Sequence, residues 1–540
     1  MKILIVASEC SPVVKIGGLG DVVGSLPKAL KKLGMDVRIV IPAYKSVLDS
    51  LVTPKFTGPS SEPRNAQPPF SQGTRGLYKG LRTNPNETAV GVSSDSESSA
   101  ADTRLGDFVV HYGGEAQKVV LHQIALPGTD IPLYLIENKK YISGGGVYMD
   151  PSGFANSQDE IERFAFFSKA VVEIFVARED VFFPDVVHCN DWHTGMIPQL
   201  IKAEARYIEL SRPATVFTIH NLANQGISQS DVIERLDGEE LFKSPYVRWD
   251  AADDNLDFVM QGILGSDVVN TVSKFYSEEI KTPEYGEGLN EVIKAREARV
   301  FGILNGIDKE AFDPEKDSYL KVNYPTGSLE KLISGKLENK KLLRKELNLQ
   351  EKDAPLIGFV SRITKQKGVD ILVSLFDELI SIGFQVAVLG TGDKSLEDMI
   401  TSKVADPKCV GNCAGIIKFD EGMARRIYAS SDMFAIPSRF EPCGLTQMIA
   451  MRYGAVPIVR AVGGLKDTVK DNFTGFVFNT LDPNDFLAAV RRAKRAYEDT
   501  GIWRKIISNC VSADFSWDKS AREYVTLYGK ALTFANTKIS

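Results

Sequence analysis

A lysine beside paired glycines stands near the start of the chain, in the segment Lys15-Ile16-Gly17-Gly18-Leu19-Gly20-Asp21. Paired glycines let backbone amides approach an anion closely, and the start of a helix favours negative charge. Lys15 adds a cation. The segment predicts a phosphate or sugar site. A turn of this kind can also serve tight packing alone, since its spacing matches neither a Walker A loop nor the GxGxxG fingerprint.

A basic turn follows a second apolar run. Residues 361–368 carry Arg362 and Lys367 just before a helical stretch. Two cations there can neutralise a diphosphate leaving group. A solvated surface turn would have the same composition, but ligands in open α/β sheets bind at the carboxyl ends of strands, which favours the phosphate role.

The most specific segment is Arg439-Phe440-Glu441-Pro442-Cys443-Gly444-Leu445-Thr446-Gln447. It again joins a predicted strand to a predicted helix. The proline and glycine favour a fixed turn, and the amides of residues 444–446 open the helix towards an anion. Glu441 is a carboxylate beside these amides. The alternative is that Glu441 only caps the helix.

Histidines follow two further predicted strands, in His188-Cys189-Asn190-Asp191-Trp192-His193 and in His220-Asn221. Since no serine or cysteine nucleophile motif accompanies them, a catalytic triad is not indicated. A contact from His193 to a sugar hydroxyl is the favoured interpretation, a structural histidine the second and a metal site the third. We expect neither a metal nor a cofactor.

Composition limits the remaining classes. The chain has 540 residues, 43% hydrophobic and 25% charged, and a formal net charge of -6. This length exceeds one compact core, and the charge favours neither nucleic acid nor a membrane surface as a partner. The six cysteines are scattered, and no apolar run is long enough to span a bilayer. We therefore expect a soluble protein of a reducing compartment such as the cytoplasm.

The motifs need strands and helices to position them. Strands are predicted at 3–7 and 37–41 around a helix at 21–33, and at 356–360 and 385–389 around a helix from about residue 369. Each set is a βαβ unit, so the fold class is α/β with two Rossmann-like domains. Further strands are predicted at 185–188, 215–219, 268–271, 416–419, 433–436 and 456–459.

The predicted domains are residues 1–304, residues 305–516 and a C-terminal helix at 517–540. Residues 57–102 are rich in Pro, Ser, Gly and Asn and form a low-complexity insertion in the first domain. Residues 308–353 are charged and are predicted to be a mostly helical connection between the two units.

Taken together and in this order, these motifs, with Asn305-Gly306-Ile307-Asp308, resemble the bacterial glycogen synthase and plastid starch synthase family. The resemblance implies a GT-B fold with the active site in the cleft between its domains. It also implies transfer of glucose from ADP-glucose to the non-reducing end of an α-1,4-glucan, glycogen or starch, with retention of configuration.

The resemblance also implies roles for individual residues. The catalytic residues would be Lys15, His193, Arg362, Lys367 and Glu441. The substrate-binding residues would be Gly17, Gly18, Asp21, Asn305, Phe419, Cys443, Gly444, Leu445 and Thr446. Within these sets, Arg362 and Lys367 would hold the diphosphate, Glu441 the glucosyl hydroxyls and Phe419 the adenine. From sequence, a core aromatic at Phe419 would look the same.

The sequence departs from the family in the long insertion at 57–102, in Asn224 in place of an aromatic, and in the absence of a lysine from Val259-Met260-Gln261-Gly262. These departures concern the acceptor more than the donor. Three alternatives remain: a retaining transferase that uses UDP-glucose or a small acceptor, a non-catalytic glucan-binding or priming protein, and, less favoured, a phosphorylase.

Overall fold

The computed structural model describes residues 1–52, 103–144, 146–148, 158–177, 182–203 and 213–537. The predicted insertion at 57–102 lies outside these residues. The strands, in chain order, are β1 Lys2–Val6, β2 Asp36–Pro42, β3 Thr103–Tyr112, β4 Glu115–Ala125, β5 Pro132–Glu137, β6 Val186–Asn190, β7 Ala214–Ile219, β8 Ile227–Gln229, β9 Asn255–Asp257, β10 Val268–Thr271, β11 Val300–Gly302, β12 Leu356–Val360, β13 Gln385–Gly390, β14 Cys413–Ile417, β15 Met433–Ile436, β16 Val456–Arg460 and β17 Phe476–Phe478.

The helices are, in chain order, α1 Gly18–Lys32, α2 Lys45–Val52, α3 Gln158–Ala177, α4 Ile197–Ala203, α5 Val232–Leu241, α6 Pro245–Asp250, α7 Phe258–Gly265, α8 Lys274–Glu279, α9 Asn290–Ala295, α10 Leu329–Glu346, α11 Val369–Ser374, α12 Phe376–Ser381, α13 Lys394–Val404, α14 Glu421–Ser430, α15 Thr446–Arg452, α16 Gly463–Thr468, α17 Pro483–Glu498, α18 Thr500–Ser512 and α19 Trp517–Asn536. Short 3-10 turns cover Trp192–Thr194 and Lys365–Lys367.

Two large sheets carry the fold. The first has the order β11-β10-β7-β6-β1-β2-β5-β4-β3 and is parallel except for β4, which runs antiparallel to both of its neighbours. The second has the order β14-β13-β12-β15-β16-β17 and is parallel throughout. Apolar strands such as Lys2–Val6 and Gln385–Gly390 are buried almost along their whole length, as expected for strands covered on both faces.

The strand orders explain where the motifs meet. In each sheet the order in which strands are added reverses at the first strand, between β1 and β6 in the first sheet and between β12 and β15 in the second. Ligands bind in the crevice beyond such a switch point. The glycine-rich turn and the His193 segment follow β1 and β6. The Arg362 and Glu441 turns follow β12 and β15.

Two local expectations were wrong. The strand predicted at 416–419 instead covers Cys413–Ile417, because these are the residues that pair with Val386 to Gly390 of β13. The chain then turns into α14, which Asp420 caps by accepting the Met423 N–H. The connection at 308–353 is helical only over α10, and α10 packs against α14 as part of the second unit's helix layer. Its buried residues, which include Leu332, Lys336 and Leu343, account for that packing.

The last helix returns to the first sheet. Helix α19 packs against α1 and β7, with Tyr524 and Tyr528 fully buried. The Tyr528 hydroxyl lies 3.0 Å from Nδ1 of His188, and Asn270 Nδ2 donates to the Tyr524 hydroxyl at 3.2 Å. The end of the chain is therefore held on the unit in which the chain begins.

Candidate functional site between the two sheets

A buried glutamate organises the glycine-rich turn. Glu9 follows β1 and is 2% exposed, and its Oε2 accepts the backbone N–H of Ile16 at 2.5 Å and of Gly17 at 2.9 Å. Its Oε1 accepts the Tyr148 hydroxyl at 3.1 Å. The Glu9 carboxylate thus holds this loop in place and fixes the residue at which α1 begins. The sequence motifs do not single out Glu9, although a carboxylate between a strand and a glycine turn is a visible pattern.

Lys15 and Asp21 form an ion pair across this turn. Lys15 Nζ lies 2.7 Å from Asp21 Oδ1, and both side chains are partly exposed, at 48% and 36%. Burial raises the pKa of Asp21, and the Lys15 cation opposes that shift. The charges of Glu421 and Arg425, on α14 of the second unit, also act on Asp21. Asp21 therefore lies within electrostatic reach of the second unit.

His193 lies in an aromatic setting beside the same turn. Its ring stacks on Trp192 at 4.4 Å between centroids and meets Phe164 edge-on at 4.5 Å and Tyr148 at 5.4 Å. Burial, and to a lesser degree His220, lowers the pKa of His193 to about 3. His193 is neutral at physiological pH and can exchange hydrogen bonds without carrying charge. Its buried Nδ1 has no hydrogen-bond partner among the described residues.

Asp191 joins the two histidine motifs. It adopts a positive φ of 56°, and its Oδ1 accepts the His220 N–H at 2.7 Å and the Asn221 N–H at 3.4 Å. Burial raises the pKa of Asp191 to about 7. His188 instead contacts Thr218 and Tyr528, so it is a structural histidine.

On the second sheet, Lys367 and Glu441 are in direct contact. Lys367 Nζ donates to Glu441 Oε1 at 2.8 Å and to Oε2 at 2.7 Å, and Ser438 Oγ donates to Oε2 at 2.9 Å. The two charged side chains are only 17% and 8% exposed. The residues come from separate turns, 74 positions apart, that the switch point brings together.

The two turns are also fastened through their backbones. Arg439 N–H donates to Gln366 O at 2.8 Å, and Gln366 Nε2 donates to Phe440 O at 3.3 Å. Gly368 has a φ of 67°, and a Cβ there would lie 1.9 Å from Pro437 O. Only glycine allows this approach. The positions of Lys367 and Glu441 are therefore fixed before any ligand binds.

Two predicted ligand residues point to solvent. The Arg362 side chain is exposed, and its guanidinium has no hydrogen bond or ion pair within the described part of the chain. Phe419 is 86% exposed, just beyond β14, and has no ring contact with a described residue. It is not a core aromatic. The Arg362 guanidinium and the Phe419 ring are thus both available to a ligand.

Asn305 lies where the two units meet. It is 5% exposed, and its backbone N–H hydrogen-bonds to the buried Cys443 thiol, whose pKa burial raises to about 12. The side-chain Oδ1 of Asn305 and the Oε1 of Gln447 are buried without partners among the described residues. All six cysteines are buried and unpaired.

The predicted residues form two groups. Lys15, Gly17, Gly18, Asp21 and His193 gather around Glu9 and Tyr148 on the first sheet. Lys367, Glu441, Cys443 to Thr446 and Asn305 gather around the second. No hydrogen bond or ion pair between described residues joins Lys15 or Gly18 to the Glu441 turn. The described residues also contain no group of three or more His, Cys, Asp or Glu side chains able to bind a metal.

We expect Glu9→Gln to lower kcat/KM for the sugar donor by about tenfold, because an amide supplies one acceptor oxygen and a misplaced N–H donor facing two backbone amides. Glu115→Gln, at an exposed site, is the control. Steady-state kinetics with varied donor would measure the change. Unchanged kcat/KM would show that the turn holds its shape without this carboxylate.

The chain is similar to known proteins over nearly its whole length. Residues 2–65 and 89–295 match the family model for the starch synthase catalytic domain, and residues 339–506 match that for glycosyl transferases group 1. A glycogen synthase from Moorella thermoacetica is 38% identical over 545 residues, which cover 98% of this chain and 97% of the relative. The chain belongs to the glycogen and starch synthase family. A glycogen synthase from Thermosipho africanus is also 38% identical, over 98% of this chain and 99% of the relative.

Solved structures agree with this family assignment. The catalytic domain of starch synthase IV from Arabidopsis thaliana, bound to ADP and acarbose, has a TM-score of 0.80 and 30% identity, over 98% of this chain and 99% of that one. Sucrose-phosphate synthase from Thermosynechococcus elongatus, at 17% identity and a TM-score of 0.55, shares the fold alone. The GT-B prediction is confirmed, and this member of the synthase family is a glycosyltransferase. No helix among its described residues is long and apolar enough to cross a membrane.

Proposed function

We propose that the protein transfers glucose from ADP-glucose to the non-reducing end of an α-1,4-glucan, glycogen or starch, with retention of configuration. The observation that carries this proposal is the preformed Lys367–Glu441 pair at the switch point of the second sheet, beside the unpaired Arg362. A diphosphate needs cations, and a sugar needs fixed oxygen acceptors. This arrangement supplies both on one rigid edge.

The cations act on the leaving group. Negative charge grows on the diphosphate as the glycosidic bond to it breaks, and positioned cations stabilise that charge. Lys367 uses two of its three N–H donors on Glu441, so the third is available for a phosphate oxygen. Arg362 has its whole guanidinium available. Lys15 serves from the opposite side of the cleft, where Asp21 holds it.

Glu441 binds the glucosyl hydroxyls in this proposal and does not attack the sugar. Both of its carboxylate oxygens accept from Lys367, and Oε2 also accepts from Ser438. A carboxylate engaged in this way is a weak nucleophile, because its charge is already compensated. We therefore favour attack by the acceptor hydroxyl on the same face as the departing phosphate, which takes up the proton.

Neutral polar groups complete the sugar site. The Nδ1 of His193 and the Oδ1 of Asn305 are buried polar atoms without partners among the described residues. Buried polar groups are normally hydrogen-bonded, so an unpaired one in a cleft favours a ligand hydroxyl or water as its partner. Gly17 and Gly18 of the first turn and the amides of residues 443–446 in the second line the phosphate side.

Donor preference is the test of this function. The purified chain would be assayed with glycogen and either ADP-glucose or UDP-glucose, with release of each nucleotide and elongation of the glucan followed together. We expect ADP-glucose to give the higher kcat/KM and the new linkage to be cleaved by an α-1,4-specific hydrolase. Preference for UDP-glucose would refute the donor assignment. Glucan binding without nucleotide release would favour a non-catalytic protein.

Phe419→Ala is expected to raise KM for ADP-glucose about tenfold and to leave kcat nearly unchanged. Stacking of a base on an aromatic ring contributes about 1–3 kcal/mol, and it is equal in the ground and transition states. Phe419→Tyr should behave as the wild type. Phe473→Ala, at another exposed phenylalanine of the second unit, is the matched control. A fall in kcat without a change in KM would contradict an adenine contact.

The cellular setting remains a prediction. We propose a cytoplasmic enzyme, or a stromal one in a plant-type source, with no nucleic-acid partner. The bacterial origin of the similar glycogen synthases supports the first setting.

A further inference from the structure

Two short helices from opposite units exchange hydrogen bonds across the cleft. Helix α8 follows β10 of the first sheet, and α16 follows β16 of the second. Phe275 N–H donates to Asp467 Oδ2 at 2.8 Å, and Gly463 N–H donates to Glu279 Oε2 at 2.9 Å. Each helix therefore offers a carboxylate to a backbone amide of the other. Lys466 Nζ also lies 4.0 Å from the centre of the Phe275 ring.

Helix α16 is in turn pressed against the Glu441 turn. Gly464 N–H donates to Glu441 O at 3.1 Å. A Cβ on Gly463, whose φ is 42°, would lie 1.9 Å from Glu441 O, and one on Gly464 would lie 2.1 Å from Cys443 O. Because the backbone of α16 lies this close to the Glu441 turn, α16 cannot shift without displacing the carbonyl groups of Glu441 and Cys443. Whatever fixes α16 also fixes the turn.

We propose that Glu279 and Asp467 form an interdomain clasp that holds α16, and through it the Glu441 turn, in the position that transfer requires. They are positioning residues, since neither contacts Lys367, Glu441 or Arg362 in the described structure. The clasp itself rests on the two hydrogen bonds. Only its consequence for catalysis rests on the proposed function.

The electrostatic surroundings of Glu279 suggest which replacement should keep the clasp. Burial raises the pKa of Glu279 to about 7; the Gly463 N–H, Arg460 and Lys466 oppose this shift, and Asp467 adds to it. Since an acid with a raised pKa is stabilised in its neutral form, a neutral side chain with an acceptor oxygen suits this place. Glutamine meets that requirement and alanine does not.

The test compares the wild type, the double variant Glu279→Ala/Asp467→Ala, the double variant Glu279→Gln/Asp467→Asn, and Glu278→Ala as a control on the exposed face of α8. Small-angle scattering without nucleotide measures how far the units separate. Kinetics with ADP-glucose and glycogen then separate kcat from KM. Thermal unfolding monitors the fold of every variant.

We expect the alanine pair to increase the radius of gyration and to lower kcat about tenfold, with KM for the donor changed less than threefold, because the phosphate contacts remain. The amide pair and Glu278→Ala should match the wild type in both readouts. Unchanged scattering of the alanine pair would overturn the clasp, even if kcat fell. Increased scattering with unchanged kcat would overturn the positioning role.

The scattering measurement does not depend on the reaction. If the wild type proved inactive with ADP-glucose, the proposed function would fail, while separation of the units in the alanine pair alone would still support the clasp.

Discussion

Replacing Lys367 by alanine is expected to lower kcat by about 10²–10³, the usual effect of removing one charge contact to a transition state. Lys367 contacts the Glu441 carboxylate, and in the proposed reaction it also contacts the diphosphate, so its loss would remove a cation as the leaving group gains charge. Steady-state kinetics with ADP-glucose at saturating glycogen would measure it. Near-normal turnover would refute the assignment.

Loss of Lys367 would remove a cation from the proposed phosphate site and would also leave the Glu441 carboxylate without its ion-pair partner. Arg362→Ala would remove a cation only. The Arg362 guanidinium has no partner in the described structure, so we expect its removal to leave the Glu441 turn intact and to affect only ligand binding. We expect a loss of kcat of about 10² or more for this variant too. Lys365→Ala is the matched control, because Lys365 is an exposed cation on the same turn. Equal losses in Lys365→Ala and Arg362→Ala would indicate a general effect of surface charge.

Glu441→Gln is expected to lower kcat by about 10² while preserving the shape of the side chain. The amide keeps one acceptor oxygen, but it places an NH₂ group against the Lys367 ammonium and removes the negative charge near the developing positive charge of the sugar. Kinetics with varied donor would show a fall in kcat larger than any rise in KM. A loss confined to KM would mean that Glu441 binds the sugar equally in both states.

The same substitution should also destabilise the second unit. Breaking a buried ion pair on one side leaves a charge without its partner and costs about 3–5 kcal/mol when enclosure is complete. Lys367 retains some exposure, so we expect a smaller loss, on the order of 1–3 kcal/mol. The double variant Lys367→Met/Glu441→Gln should recover the unfolding temperature but not the activity. Recovery of both would show that the pair serves stability alone.

Ion pairs also determine the net charge of the site to which the donor would bind. Lys367 is paired with Glu441, and Lys15 with Asp21, so two of the three predicted phosphate cations begin in ion pairs. In the proposed reaction, a diphosphate would therefore bind to two preformed ion pairs of low net charge together with Arg362, whose guanidinium has no partner among the described residues. Such a site is organised before the reaction begins, which limits the rearrangement that the transition state requires.

Local sequence patterns predict the kind of chemistry and where along the chain its residues lie. The glycine turn, the Arg362 turn and the Glu441 turn each follow an apolar strand, and strand periodicity and turn residues are local properties that a sequence displays directly. The βαβ order then led to two Rossmann-like sheets, because parallel strands require crossovers. The family resemblance rested on the same motifs and was confirmed over nearly the whole chain.

Which side chains contact each other depends on how the strands are arranged in the folded protein. Lys367 and Glu441 are 74 residues apart, and they contact each other because β12 and β15 are neighbours at the switch point. Glu9 lies close to the glycine turn in the sequence, but its role depends on the backbone amides of Ile16 and Gly17, which donate to its carboxylate in the folded chain. The clasp joins Glu279 to Gly463 across 184 residues. Contacts of this kind depend on strand order and on the packing of the two units, which no local pattern encodes.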